Sequence, residues 1–209
     1  MSYGPEDAAW DKAYENMSRE LYPEHKEQAI AEFTRERLRS YYGSHPEVLE
    51  PAVRAFKEAK SLLAAGHHAA ALVFAASSTE LFLKAALLRP VVYGLVHSEE
   101  LAEIVVTSAL SQPGFKRYEQ LLAKLFLELS GIELKTLLHK PGSKPLLEIA
   151  SEIYDLRNTV VHRGQAVSLA QAELAVDVST QVFNQVLVKV LRNLGFTVKK
   201  GDIVVNAEV

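Results

Sequence analysis

The stretch from His67 to Leu88 is apolar nearly all round. A helix with no solvent face has to be surrounded by other elements, so this one is expected at the centre of the molecule. Its small residues, Ala69, Ala70, Ala71, Ala75, Ala76, Ser77 and Ser78, allow neighbours to approach closely. Glu80 and Lys84 interrupt it, which reads as a buried helix rather than a membrane span. A buried carboxylate costs several kcal/mol unless it is paired or hydrogen-bonded, so Glu80 needs a partner. Lys84, one turn later, is one candidate. The other is that Glu80 faces a polar helix elsewhere in the chain. At 209 residues, 48% of them apolar, the chain can supply the surroundings this helix requires.

Other helices are legible around it. Pro5 to Arg19 carries Trp10, Ala13, Tyr14 and Met17 on one side. Pro23 starts a second helix, expected to run to Tyr42 and stop at Gly43, with Ile30, Phe33, Leu38 and Tyr41 as an imperfect apolar face. Pro51 to Ala65 is clearer and ends at Gly66, so with the central helix it forms a tight αα-hairpin. That hairpin has no second copy, which excludes a solenoid. His67 and His68 stand in its turn; adjacent histidines on a helix point apart and make a poor metal pair. Arg89 to His97 reads as a connector. Ser98 caps a helix from Glu99 to Leu110, and Phe115 to Leu129 is the next, with Tyr118, Leu121, Leu122, Leu125 and Leu129 inward. Ile132 to Leu138 is expected to add one or two turns. The loop from His139 to Pro145 is basic, and Lys140 and Lys144 either meet a phosphate backbone or are merely solvated.

From Glu148 to Gly164 the pattern sharpens. Ile149, Ile153, Leu156 and Val160 recur at spacings of four, three and four, which places them on one helical face. Gly164 can take the left-handed conformation that ends a helix. Glu148, Ser151, Asp155, Asn158 and His162 form a second, polar stripe. Arg157, Asn158 and His162 lie in the last two turns. Asn158 and His162 are neighbours four apart, whereas Arg157 and His162, five apart, sit about 140° from one another around the axis. One isolated helix cannot easily aim both at a single atom. A second copy of the helix would complete such a site. His162 is in the final turn, where the helix dipole favours positive charge. Histidine's ordinary titration near neutrality suits proton transfer.

Ser168-Leu169-Ala170-Gln171 is a capping-box signature, and it opens a last helix from Leu169 to Leu194. Ala172, Val176, Phe183, Val186 and Val190 share its apolar face. This helix is expected to pack antiparallel to the one ending at Gly164. Phe196 to Lys199 and Asp202 to Val205 read as a small β-hairpin, which two strands alone would barely sustain. It therefore lies on the bundle or pairs with a second chain.

The run Arg157-Asn158-Thr159-Val160-Val161-His162 resembles the Arg-Asn-x-x-x-His signature of the HEPN (higher eukaryotes and prokaryotes nucleotide-binding) superfamily. Ser78-Thr79-Glu80-Leu81-Phe82-Leu83-Lys84 is similar to the second-helix pattern of the same superfamily, where an acidic residue lies opposite the motif helix. The resemblance covers Pro51 to Leu194. It implies an all-α, antiparallel helical bundle, here residues 46–195, with a helical extension over 1–45 and the hairpin tail over 196–209. It also implies a homodimer that cleaves RNA without a metal, in toxin–antitoxin or phage-defence settings, with a cognate antitoxin as a further partner. Arg157, Asn158 and His162 would be the catalytic residues, supported by Glu80, Lys140 and Lys144. RNA carries its own nucleophile, the 2′-hydroxyl. His162 would move protons, Arg157 would clamp the phosphate with its planar fork, and Asn158 would hold His162 or contact substrate.

Composition narrows the alternatives. There is no cysteine, so neither disulfides nor thiolate metal sites arise. No Gly-rich phosphate loop, Walker motif, Cys/His cluster or Ser-His-Asp arrangement is legible, and no cofactor or metal is expected. The first twenty residues lack the apolar core of a secretory leader, which with the absent cysteines points to the cytoplasm and to no membrane partner. A net charge of −3 argues against a general nucleic-acid coat protein while leaving room for a local cationic site. The contrasting expectation is a non-catalytic HEPN-like binding or dimerisation module, in which Arg157 and His162 only satisfy nearby carbonyls and acids.

Overall fold

In the computed structural model the described residues are 12, 16, 35–84, 89, 90, 93, 119–131, 133–199 and 202–205. The chain divides into two units, Met1–Arg37 and Leu38–Val209, and the numbered helices and strands below belong to the second. The helices expected from Pro5 to Arg19 and from Glu99 to Leu110, and the start of the one from Pro23, lie outside the described residues except Lys12 and Asn16. The fold is mostly helical, with a two-stranded antiparallel sheet at its C-terminal end.

Residues 35–44 are helical. Gly43 keeps an ordinary negative φ and does not stop this helix, contrary to the expectation. A 3₁₀ turn, Pro46–Leu49, leads into α1 (Glu50–Ala64), which has Pro51 in its first turn, where a missing N–H costs nothing. Gly66, at φ +80°, turns the chain within three residues into α2 (His68–Leu83). Helix α2 is the expected centre. It packs against α1, α4 (Leu146–Arg163), α5 (Leu169–Gln181) and the π-helical turn Val182–Leu187 that follows α5. Ala71, Leu72, Ala75, Phe82 and Leu83 are all buried, and each large apolar side chain among them stabilises the fold by about 1.5–3 kcal/mol.

Two buried hydroxyls knit three helices together. Ser179 donates to Ser78 at 3.1 Å, and Ser78 donates to the carbonyl of Ala52 at 2.9 Å. Four residues further along both helices, the rings of Phe82 and Phe183 meet at 5.3 Å. The matching four-residue steps show that α2 and α5 run parallel. Antiparallel packing therefore describes the sequential pairs α1/α2 and α4/α5 and not the whole bundle.

The chain from Leu169 to Asn193 is one helical path of 25 residues, long and apolar enough to cross a bilayer by those measures alone. Here it packs against α1, α2 and α4, and carries the buried Ser179. Its middle widens into the π turn before continuing as α6 (Val188–Asn193). The sequence pattern did not announce this, because the apolar residues Val182, Val186 and Val190 keep helical spacing through it. Helix α3 (Glu119–Ser130) packs on α6, burying Leu122 and Phe126, and Gly131 at φ +69° follows it. Tyr118 and the side chains of Leu121, Leu125 and Leu129 lie outside the described ones. Residues 134–136 form a turn, and Leu138 then bridges to Pro145, so the expected extra helical turns are instead a closed loop. Arg89, Pro90 and Tyr93, expected in a connector, are helical.

The hairpin is as the sequence reads it: β1 (Phe196–Lys199) and β2 (Asp202–Val205) pair antiparallel, Phe196 opposite Val205. It lies on the bundle. Phe196 and Ile203 are buried, and the Phe196 ring meets Tyr42 edge-on at 6.1 Å. Leu38 and Tyr42 also belong to the core, so residues before 46 contribute to it. Burial, with Tyr41 alongside, pushes the Tyr42 phenol far above its ordinary pKa and keeps it neutral.

Candidate functional site

Helix α4 begins two residues earlier than its periodicity indicates and ends where expected. Its core face is the predicted one: Ile149 and Ile153 are buried, and Leu156 and Val160 pack against the core. Gly164 adopts φ +65°, and its N–H reaches the carbonyl of Val160 at 3.0 Å, closing the helix directly behind the motif. A side chain at Gly164 would meet no atom within 4 Å, so glycine is favoured here by backbone conformation alone. Ser168 and Gln171 form the capping box that starts α5, leaving a short turn over residues 164–168. Glu148 stands in the first turn of α4, and His162 and Arg163 in its last, so the helix's charges follow its dipole.

Arg157 and Asn158 are half-buried and bonded to each other, guanidinium Nη1 donating to amide Oδ1 at 2.9 Å. His162 and Arg163 are exposed. Among the described residues neither Arg157 nor His162 forms an ion pair. The 140° separation of Arg157 from His162 persists, because α4 is a regular helix through both.

The supporting residues go elsewhere. Glu80 takes Lys84 at 2.6 Å, the pairing that one-turn spacing allows, with the lysine side chain only 5% exposed. Of the two positions open to Glu80 it occupies the local one; Arg157 instead takes Asn158. Lys140 pairs with Asp177, and Lys144 sits between Glu148 and Glu152. Both lysines of the basic loop are thus partly neutralised by carboxylates. Such exposed pairs are individually weak and can exchange partners. Lys144 is held in its charged form by its hydrogen bonds with Glu152 and Glu148.

Two features escaped the sequence reading. The first is a polar cluster beside the π turn. His139 is 5% exposed, with Nε2 2.9 Å from Asp177 Oδ2 but out of line for a hydrogen bond. Gln181 donates to the same carboxylate at 3.4 Å, and Gln185 donates to Gln181 at 2.8 Å and to the His139 carbonyl at 3.4 Å. Partial burial pushes the Asp177 carboxyl up, but hydrogen bonds from Lys140 and Gln181, with the positive field of Lys140 and His139, outweigh it. Its pKa falls below the ordinary carboxylate value. A depressed carboxyl stabilises the fold above its unfolded pKa, about 3.9, and that contribution is lost as pH falls through the folded value. Asp177→Asn is therefore expected to lower the melting temperature by about 2–4 °C at neutral pH and by nothing near pH ~2, as read by circular dichroism melts across that range. No local pattern marks this cluster, since its members come from a loop and a helix nearly forty residues apart.

The second feature is a cavity of about 390 Å³ along the N-terminal half of α4, lined by Glu119, Lys135, Glu148, Ser151, Glu152 and Asp155 among others. Glu148, Ser151 and Asp155 were visible in the polar stripe; Glu119 and Lys135 arrive from other elements. Among the described residues no group of three or more histidines or carboxylates is arranged to hold a metal. No protein-family model, no curated protein and no solved structure matches this chain.

Proposed function

We propose that this chain is a metal-independent endoribonuclease of HEPN type, acting as a cytoplasmic homodimer in a toxin–antitoxin or phage-defence system. The observation that carries the reading is His162: an exposed imidazole in the last turn of α4, paired with no acid among the described residues, with Arg157 of the same helix bonded to the neutral amide of Asn158. A histidine and an arginine kept for stability would be expected to satisfy acids, and among the described residues these pair with none.

The chemistry follows from the groups. His162 accepts the proton of an RNA 2′-hydroxyl as that oxygen attacks the adjacent phosphorus. The guanidinium of Arg157 offsets the charge growing on the non-bridging oxygens. The 5′-oxygen leaves with a proton drawn from water, giving a 2′,3′-cyclic phosphate and a 5′-hydroxyl end, and His162 returns its proton to solvent. Arg157 and His162 point to different sides of one helix, so a two-fold dimer would join the arginine of one protomer to the histidine of the other.

The acidic cavity on α4 and the paired loop lysines favour a second reading, a non-catalytic binding or dimerisation module. Incubating the purified chain with several RNAs in EDTA separates the two. Cleavage with cyclic-phosphate ends is expected; intact RNA throughout would leave the module as the better account.

A further inference from the structure

One carboxylate oxygen serves two nitrogens in the cluster beside the π turn. Asp177 Oδ2 lies 2.9 Å from His139 Nε2 and 2.5 Å from Lys140 Nζ. The two nitrogens are placed differently. His139 Nε2 is sealed from solvent and, being out of line with Asp177, makes no hydrogen bond among the described residues. Water cannot supply the missing bond. Lys140 is 59% exposed, so water can replace Asp177 on its ammonium at little cost. Lys140 therefore occupies an oxygen that it can do without, beside a buried ring that has no other acceptor at Nε2.

A proton on the ring changes this balance. The imidazolium carries a full charge, in a place where solvent and salt screen it little. It attracts the carboxylate and repels the ammonium that shares its oxygen. A small turn of either the ring or the carboxylate brings Nε2 into line. The His139 backbone is pinned and does not follow Lys140. Its carbonyl accepts from Gln185 at 3.4 Å, its N–H reaches the Lys144 carbonyl at 3.2 Å, and the Leu138–Pro145 bridge closes the loop behind it. Asp177 stays ionised throughout, because its carboxyl is held below the ordinary carboxylate value, far from the ordinary histidine range near pH ~6.5.

We propose that His139 and Asp177 form a proton-operated latch on Lys140. When His139 takes a proton from solvent, Asp177 turns to its ring and the Lys140 side chain is released. When the ring gives that proton back, Lys140 is captured again. The loop thus presents a free cation on acidification and a paired one at higher pH. Among the described residues, the charged groups facing the ring are Asp177 from α5 and Lys140 from the loop, and the π turn contributes the neutral Gln185. The direction of the exchange follows from these contacts. Taking away a cation favours the imidazolium and taking away a carboxylate disfavours it, whatever else lies nearby.

Two measurements test the latch. The first is an NMR pH titration of the histidine rings, with His139 picked out of the seven by its absence in His139→Gln. Lys140→Met is expected to raise the His139 midpoint by about 0.5–1 pH unit, and Asp177→Asn to lower it by about 1 pH unit or more. The second is acetylation of Lys140 by a small amine-reactive reagent, read by mass spectrometry. Each rate is divided by that of Asp177→Asn at the same pH, where Lys140 is always released. The wild-type ratio is expected to be about 0.2–0.5 above the His139 midpoint and to approach unity below it, the range an exposed ion pair allows. His139→Gln is expected to hold one ratio from about pH 5 to about pH 8. Melting curves establish that each variant is folded. A His139 ring that takes no proton in that range, a midpoint unmoved in Lys140→Met, a wild-type ratio independent of pH, or the same pH change in His139→Gln would each overturn the latch. Lys140 is exposed, so its variant decides the matter even if Asp177→Asn does not fold.

Discussion

His162→Ala is expected to slow RNA cleavage by about 10²–10⁴-fold, the usual contribution of a positioned proton-transfer group. Its melting temperature should stay within about 1–2 °C of wild type. The imidazole is exposed, follows the helix dipole and forms no ion pair among the described residues, and surface substitutions of that kind change stability by about 0.5 kcal/mol or less. Pairing the two readouts is what gives the test its force. Lost cleavage with an unchanged melt places His162 in the chemistry. A melt that drops by many degrees would show an unseen structural duty and would sink the role given to it. Residual activity equal to wild type would do so as well. Mixing His162→Ala protomers with an Arg157→Ala variant adds a check on the shared site: if Arg157 and His162 act across a two-fold axis, mixed dimers retain one intact site and recover part of the activity.

Phe82→Ala should be the most damaging single truncation in the bundle. The ring is 1% exposed, near the end of α2, and packs on Phe183 at 5.3 Å where α2 and the π turn meet. Truncation removes the buried ring and leaves a void among helices that cannot close over it, at a cost of about 3–5 kcal/mol. For a chain of this size that corresponds to a melting temperature lower by about 10 °C. Thermal denaturation followed by circular dichroism reads it directly. A loss under about 1 kcal/mol would mean that α2 is not the rigid centre described above, and the parallel pairing of α2 with α5 would need to be reconsidered.

The features legible in the sequence are those carried by the chain's own local geometry. Gly164 and the Ser168–Gln171 box mark the end of one helix and the start of the next, because each needs only a left-handed residue or a hydroxyl three positions from an N–H. The Ile149, Ile153, Leu156 and Val160 stripe faces the core for the same reason: side chains three and four apart share a face whatever the rest of the molecule does. The two strands of the hairpin are equally local. Gly43 shows the limit of such signals, since a glycine ends a helix only where the backbone adopts the left-handed region, and there it does not.

The sequence by itself determined the helices around 50–64, 68–83 and 146–163, the central place of the second, and the gathering of Arg157, Asn158 and His162 at the end of the third. Tertiary structure decided which of the possible charge pairs form. Glu80 had two physically acceptable positions, and packing placed it on Lys84; Lys140 and Lys144 were free to be cations for a phosphate, and the fold put Asp177, Glu148 and Glu152 within their reach. The parallel seating of Ser78 against Ser179 was likewise settled by contact between residues a hundred positions apart. Periodicity reports the direction a side chain takes from its own helix axis. It holds no information about what waits there, because that depends on how distant segments fill the same space.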